Sequence, residues 1–275
     1  MKIVQNGLKD ESSVRTTQGG GFLSRYVFQK GFSLIEVALV LVIIGLLTAG
    51  GLNLVKSKRE QAMYGASVDA LKKSKEALVA YVVINGHLPC PDSDLIPDGS
   101  ENRGTNQCSA NTGVLPYIDM GLNQVSVKDS WGNYIRYEIN TGATVLANVN
   151  VNTHSASFFN LSSAIGAGSL SFSITTPTTA LNPGVGNLDV NDGAGSPWAA
   201  NQIALLIAQN SNGKQAIASC GSLGAKEQEN CDGDTDFIQD FRLIDVSGQF
   251  FDDKLLGISA GEIKTAIIKE HPDIL

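Results

Sequence analysis

Glu36 is the residue whose position has the clearest chemical consequence. It is the only charged residue in an apolar run from Phe32 to Val55, which reads FSLIEVALVLVIIGLLTAGGLNLV. A run of this length can cross a bilayer as a helix. An ionised side chain at the centre of such a helix costs about 2.5–3.5 kcal/mol on insertion scales. The position therefore predicts either a partner of opposite charge or a carboxylate that reaches the lipid headgroups.

A second group of carboxylates lies near the other end of the chain. Asp232, Asp234 and Asp236 alternate within the segment CDGDTDF. Alternating carboxylates in a glycine-containing loop suit a hard cation such as calcium. The loop is not an EF-hand, because its twelfth position is Leu243 and not glutamate. A solvated acidic turn beside Cys231 is the alternative, and calcium is the one possible cofactor that the sequence indicates.

All four cysteines, Cys90, Cys108, Cys220 and Cys231, follow the apolar run. Four cysteines allow three pairings. Proximity along the chain favours Cys90–Cys108 and Cys220–Cys231, and each short loop so closed gains about 3 kcal/mol in the chain-entropy model. Such bridges persist only in an oxidising compartment. The alternative is four unrelated thiols; a zinc ribbon is disfavoured because no CxxC pair is present.

Nothing in the sequence indicates an enzyme. The three histidines, His87, His154 and His271, are scattered, and no GxSxG, HExxH or phosphate-loop sequence occurs. The chain carries a formal net charge of −7, although residues 1–31 are basic. The remainder is therefore more acidic still, and we expect no nucleic-acid partner, which would require a basic face.

The helix that carries Glu36 is expected to continue well past residue 55. Its second half has polar residues on one side and an apolar stripe at spacings near 3.6 on the other. The stripe comprises Tyr64, Val68, Leu71, Leu78 and Val82. Asn85-Gly86 is a helix stop. We expect an apolar membrane-spanning segment at 32–55, an amphipathic continuation at 56–86 and a globular β-rich domain at 87–275.

The globular part contains several strand signals. The apolar run at 203–208, the segments 237–246 and 250–258 around Ser247-Gly248, and a short helix at 261–270 are the clearest elements. Between Ile139 and Leu188 there is no Asp, Glu, Lys or Arg. This region predicts small strands joined by polar turns, which serve either as a binding surface or as filler around the sheet edge.

The residues from Lys30 to Glu36, followed by VALVLVIIGLL, resemble the processing site of type IV pilins and type II secretion pseudopilins. That pattern is Gly, the cut, Phe, three residues and Glu before an apolar helix, so the cut precedes the apolar run. The resemblance implies that prepilin peptidase removes leader 1–31 by cutting after Gly31 and methylates the new amine of Phe32. It also implies that Glu36 meets the Phe32 amine of a neighbouring subunit, which offsets the cost of burial and fixes the register.

Weaker similarities extend into the globular part. The segment HLPCPDSD at 87–94 resembles one that follows the helix in some pseudopilin-like proteins. Residues 129–134, DSWGNY, resemble the Asp-Pro-Trp-Gly turn of major pseudopilins, with Ser130 in place of proline. Residues 249–258 resemble a closing strand of such domains. Some pseudopilins hold calcium near this sheet, so the resemblance favours calcium binding by Asp232, Asp234 and Asp236.

Together these features predict an α+β fold, in which one long N-terminal helix packs on an antiparallel β-sheet. The predicted protein is a pilin-like subunit, made as a single-pass protein of the bacterial inner membrane with its C-terminal domain in the periplasm, and then assembled into a pseudopilus or pilus. The expected partners are prepilin peptidase, other pilin or pseudopilin subunits, the inner-membrane assembly machinery and membrane lipid. The alternative is a filament-tip adhesin that binds ligand through residues 139–188.

Overall fold

The computed structural model describes residues 31–85, 88–104, 108–139, 188–244 and 249–270. The predictions for the leader, for most of the uncharged region and for the Ser247-Gly248 turn lie outside these ranges. The chain divides into two compact units, Met1–Asn53 and Leu54–Leu275.

Helix α1, Leu34–Asn85, begins in the first unit. The large apolar side chains of this unit from Phe32 to Leu47 are exposed. The hydroxyl of Thr48 donates hydrogen bonds to the carbonyls of Ile44 and Gly45, at 2.8 and 3.0 Å, so the helix itself satisfies this polar group. Among the residues that the structure describes, no helix combines the length and the hydropathy that a bilayer span requires.

In the second unit, α1 packs on the globular core through the predicted stripe. Leu71, Leu78 and Val82 are buried, as predicted, and Tyr64 and Val68 are half-buried. Two serines that the stripe did not include are also buried on this part of the helix, at positions 67 and 74. The backbone amide of residue 130 donates to the hydroxyl of residue 67 at 3.0 Å, so the DSWGNY turn docks on the helix.

The sheet is built around one long strand. In the described residues it has six strands: β1 Thr112–Val114, β2 Arg136–Ile139, β3 Leu188–Asn191, β4 Pro197–Ala208, β5 Asp236–Ile238 and β6 Lys254–Ser259. The order is β1-β2-β4-β3-β5, and β6 pairs with β4 as well. Since Gln202 of β4 faces both Leu188 of β3 and Ser259 of β6, these two strands flank β4 on opposite sides.

Strands β2 and β3 occupy successive stretches of the same edge of β4. Ile139, the last residue of β2, is opposite Ala204, and Leu188, the first residue of β3, is opposite Gln202. Both strands run antiparallel to β4. The apolar run 203–208 is buried on both faces, because alternate residues of β4 enter two separate hydrophobic clusters. One cluster contains the buried side chains of α1, and the other contains Phe237 of β5.

The α+β architecture is confirmed, but the expectation of an antiparallel sheet was wrong, because β3 and β5 pair in parallel. After β4, the chain passes through two short helices, α2 Gly213–Ala218 and α3 Ala225–Gln228, before it forms β5. A parallel pair requires such a crossover connection in place of a tight hairpin.

The predicted C-terminal helix is present as α4, Ala260–Glu270. Segments 237–246 and 250–258 meet at one bridge, Leu243 to Phe251.

Candidate functional site

The predicted cleavage position lies immediately before α1. Gly31, Phe32 and Ser33 are not helical, and the Phe32 side chain is 86% exposed. A Cβ added to Gly31 would meet no atom within 4 Å. Within the described chain, no packing contact therefore requires glycine at this position. An exposed segment outside regular structure is the kind of site that peptidases reach.

Glu36 has a local role that the sequence analysis missed. The backbone amide of Ser33 donates to Glu36 Oε2 at 2.9 Å, and the amide of Ile35 donates to Ser33 Oγ at 3.4 Å. Together these contacts form a capping box, in which a serine and a glutamate three residues later satisfy free amides at the start of a helix. The signal was present in the sequence as Ser33-x-x-Glu36. The carboxylate is thereby held beside Ser33, one residue after Phe32.

The two disulfides pair as sequence proximity favoured. Cys90 bonds to Cys108, with Cα atoms 5.2 Å apart, and Cys220 bonds to Cys231, with Cα atoms 5.8 Å apart. The first bridge lies in a loop where the backbone amide of Cys90 donates to Glu101 Oε2 at 2.9 Å. The second bridge encloses α3. Each disulfide thus fixes a segment that regular structure alone does not hold.

The three aspartates predicted as calcium ligands are exposed. Asp232 Oδ1 accepts a hydrogen bond from the amide of Asp234 at 3.3 Å, and Asp234 Oδ1 accepts one from the amide of Asp236 at 2.8 Å. The structure groups Asp232 and Asp234 with Glu229, within 4.8 Å of one another, whereas Asp236 begins β5 and is not in that group. Burial and then the charges of Asp232 and Asp236 raise the pKa of Asp234. Calcium binding by these residues stays a prediction.

A different acidic cluster is buried. Glu227 in α3 and Asp252 and Asp253 just before β6 place carboxylate oxygens within 4.8 Å of one another. We call these three residues the buried triad. Their exposed fractions are 1%, 0% and 2%. The triad was not predicted from the sequence, although the adjacent acids in QFFDDKLLGI were a signal, because this segment resembles a closing strand.

Hydrogen bonds join the members of the triad to two nearby segments. Glu227 Oε1 accepts from the backbone amide of Asp252 at 3.1 Å, and Glu227 Oε2 accepts from Asn212 Nδ2 at 2.6 Å. Asp252 Oδ2 accepts from the amide and the hydroxyl of Ser211 at 3.1 and 2.5 Å. The triad therefore ties α3, the segment before β6 and the turn at 211–212 to one another.

Within the part of the chain that the structure describes, two carboxylate oxygens of the triad have no hydrogen-bond donor. Asp253 Oδ2 accepts from Asn230 Nδ2 at 2.9 Å, but the Oδ1 atoms of Asp252 and Asp253 are buried without a partner. The amide oxygens of Asn210 and Asn212 are likewise buried and unpartnered. Asn210 Nδ2 donates to the backbone carbonyl of Asp252 at 2.5 Å, so this side chain contacts the same segment.

Burial makes ionisation of the triad unfavourable. Desolvation raises the pKa of Glu227 to about 7, against the opposing hydrogen bonds from the Asp252 amide and Asn212. Burial also raises the pKa of Asp252, and it raises the pKa of Asp253 well above its usual range; the charges of Glu227 and Asp252 add to this second effect. Among the described residues, no Lys or Arg forms an ion pair with the triad. The described surroundings therefore supply no Lys or Arg at contact distance that would stabilise the ionised form of the triad.

The DSWGNY turn supports this part of the domain. Asp129 Oδ1 accepts from the backbone amides of Trp131 and Asn133, both at 2.9 Å. Asn133 Nδ2 then donates to the backbone carbonyl of Asn210 at 2.6 Å. Gly132 has φ +86°, a conformation that glycine adopts without strain. The turn therefore holds in place the backbone from which Asn210 extends.

Comparison with known proteins identifies the start of the chain. Residues 28–52 match the model of the prokaryotic N-terminal methylation motif, which is typical of type IV pilins and pseudopilins. The match includes Gly31, Phe32 and Glu36 and confirms the resemblance over these residues. No curated protein and no solved structure shows significant similarity to the chain.

Proposed function

We propose that this protein is a pilin-like subunit of a filament that is assembled at the bacterial inner membrane. Prepilin peptidase cuts after Gly31 and methylates the amine of Phe32. The observation that supports this proposal is the methylation motif at residues 28–52, located at the start of a long helix with an exposed apolar surface.

The exposed surface at the start of α1 is apolar, and we expect it to be buried in the working state of the protein. The side chains between residues 32 and 48 are exposed, and the most exposed large apolar ones are Phe32, Leu34, Ile35, Leu39, Leu41, Val42, Leu46 and Leu47. Removing one such side chain from water contributes about 1.5–3 kcal/mol. Apolar side chains exposed along a whole helix segment therefore favour an apolar environment in place of water. In the proposed function, bilayer lipid is that environment before assembly, and the helices of other subunits are that environment afterwards.

Glu36 and Phe32 fit this scheme because their charges are complementary after processing. Cleavage after Gly31 creates a positive amine on Phe32, and Glu36 supplies a carboxylate within the first turn of α1. Pairing the two groups between subunits offsets the cost of placing the carboxylate among apolar helices. An unpaired carboxylate penalises every other register, so the pair would set the axial step between subunits.

The disulfides support a periplasmic location for the globular domain, because such bridges persist in oxidising compartments. We place the apolar half of α1 in the inner membrane as a single span before assembly. The partners are then membrane lipid, other subunits and the inner-membrane assembly machinery.

We favour a type II secretion pseudopilin or a minor type IV pilin over a major pilin, because the two disulfides and the long uncharged region would be unusual on a subunit repeated along a whole fibre. The tip-adhesin alternative rests on residues 139–188, nearly all outside the described ranges, and stays a prediction.

The test is mass spectrometry of the N-terminal peptide from sheared filaments and from membranes of the same cells. We expect a peptide that begins at methylated Phe32, and we expect it to be absent from cells that lack prepilin peptidase. Its presence in the sheared fraction indicates a surface pilus, and its restriction to membranes indicates a short pseudopilus. An uncut leader in both fractions of wild-type cells would refute the proposed function.

A further inference from the structure

We propose that Glu227, Asp252 and Asp253 bind one divalent cation of the size of calcium, which holds α3 against the segment that precedes β6. The site is separate from the exposed aspartates at 232, 234 and 236. It does not depend on the proposed filament function, since it lies wholly within the globular unit.

The spacing of the oxygens suits a single ion. One carboxylate oxygen from each member of the triad lies within 4.8 Å of the others. Calcium binds oxygens at about 2.3–2.6 Å, so two ligands on opposite sides of the ion are about 4.8 Å apart. Magnesium binds at about 2.0–2.1 Å and demands a more regular arrangement. Separations of up to 4.8 Å therefore allow the three oxygens to surround one calcium ion.

The unpartnered oxygens are a second and independent observation. Asp252 and Asp253 are at least 98% buried, and among the described residues Oδ1 of each has no hydrogen-bond donor. A buried acceptor without a partner costs about 1–3 kcal/mol, and more when it is charged. Two adjacent residues of the triad each carry such an atom. A cation bound by the triad would offset this cost.

Neighbouring amides add oxygens of the type that calcium prefers. The side-chain oxygens of Asn210 and Asn212 are buried and have no donor in the described ranges. Asn212 contacts Glu227 through its Nδ2 atom, and Asn210 contacts the carbonyl of Asp252 through the equivalent atom. Both amide oxygens therefore belong to side chains already in contact with the triad. Calcium takes six to eight oxygens, and carboxylates with amide carbonyls form such a set.

The charge of the site also points to a cation. Three carboxylates lie together in a buried environment, and no described Lys or Arg approaches them within ion-pair distance. Two positive charges from a bound ion would remove most of the repulsion. The Cys220–Cys231 bridge encloses Glu227 and keeps its segment in place for this contact.

The exposed group at 229–234 is a natural control. Asp232 Oδ1 and Asp234 Oδ1 each accept a hydrogen bond from the backbone amide two residues later, and both side chains are exposed to water. A variant at Asp234 removes a carboxylate from that group and leaves the triad intact. A variant at Asp253 removes a carboxylate from the triad and leaves the exposed group intact. Asn is the replacement in both cases, since it preserves the shape of the side chain.

The experiment uses the full chain, purified in detergent and stripped of metals with EGTA. Calcium chloride and magnesium chloride are titrated separately by calorimetry, and thermal unfolding is followed with and without each salt. We expect one calcium ion per chain and a rise in Tm of about 5 °C or more at calcium a hundredfold above Kd. We expect Asp253→Asn to weaken binding at least tenfold and Asp234→Asn to leave it unchanged.

A second measurement keeps the test decisive if Asp253→Asn does not fold. Europium bound to the wild-type chain reports the number of water molecules on the ion through its luminescence lifetimes in H₂O and D₂O. A buried triad should leave at most two waters. Several waters on the ion, loss of binding in Asp234→Asn alone, or no calcium binding at millimolar concentration would each overturn the proposal. In the last case, protons and not a cation stabilise the triad.

Discussion

Replacing Glu36 separates two roles that the structure and the proposed function assign to one carboxylate. As a helix cap, Glu36 accepts a hydrogen bond from the Ser33 amide at 2.9 Å. As a charge, it is proposed to pair with a Phe32 amine. Glu36→Gln keeps an acceptor for the cap, because glutamine also serves at this position of a capping box, but it removes the charge. Glu36→Ala removes both.

The two roles differ in magnitude. Loss of a helix cap costs about 1 kcal/mol, which changes an equilibrium roughly fivefold. Removing one partner of a buried ion pair costs about 3–5 kcal/mol, which corresponds to a factor of a hundred to several thousand. Glu36→Gln should therefore insert and be processed as wild type but nearly disappear from filaments. Ser33→Ala, which removes only the hydroxyl that accepts from Ile35 at 3.4 Å, should lower incorporation about fivefold at most.

The assay is quantitative immunoblotting of sheared and membrane fractions, each normalised to the processed subunit. Membrane levels and N-terminal processing are controls for insertion and cleavage. The reasoning fails if Glu36→Gln enters filaments as wild type does while Glu36→Ala does not, because the cap and not the charge would then be the requirement. It also fails if both variants assemble normally.

Three further predictions concern the globular unit. Replacing Cys220 and Cys231 by serine should lower the free energy of unfolding by about 3 kcal/mol, seen as a Tm about 6–12 °C lower; an unchanged Tm would show that the bridge does not constrain the chain. Leu78→Ala, at a fully buried position, should cost about 2–5 kcal/mol in urea unfolding, whereas Ile84→Ala, at a side chain 77% exposed, should cost little; equal effects would contradict the packing of α1. Burial raises the pKa of Glu138 above its usual value, so its contribution to stability is present at low pH and is lost as the pH rises through the folded pKa. Urea unfolding between pH 4 and pH 7 should show wild type losing stability relative to Glu138→Gln as the pH rises, and the opposite slope would refute this cause.

The features that were predictable from the sequence depend on local patterns. The apolar stripe of α1 recurs with the helical period, so Leu71, Leu78 and Val82 were identified before their partners were known. The disulfide pairs follow from proximity along the chain. The capping box at Ser33 and Glu36 is equally local, because Ser-x-x-Glu before an apolar run is its sequence signature, although it was not predicted.

The features that were not predictable join distant parts of the chain. The parallel pairing of β3 with β5 depends on how α2 and α3 carry the chain back, and no turn signal records that path. The triad brings Glu227 to Asp252 and Asp253 across 25 residues of sequence. Asp236 continues the alternating pattern of Asp232 and Asp234, but a strand begins at this residue and it is not in the group that they form with Glu229. Calcium binding by the three aspartates stays a prediction.

The register of β4 bears on how the uncharged region can change during evolution. Ile139 and Leu188 lie opposite Ala204 and Gln202 on one edge of β4, so the two strands read as one long strand interrupted at a single point. Two residues of β4 span only about 7 Å. Ile139 and Leu188 therefore lie close together, and doubling the length of a flexible loop between two such points costs only about 0.6 kcal/mol in closure entropy. We expect insertions and replacements of different lengths to be tolerated between residues 139 and 188, while the surrounding strands keep their register.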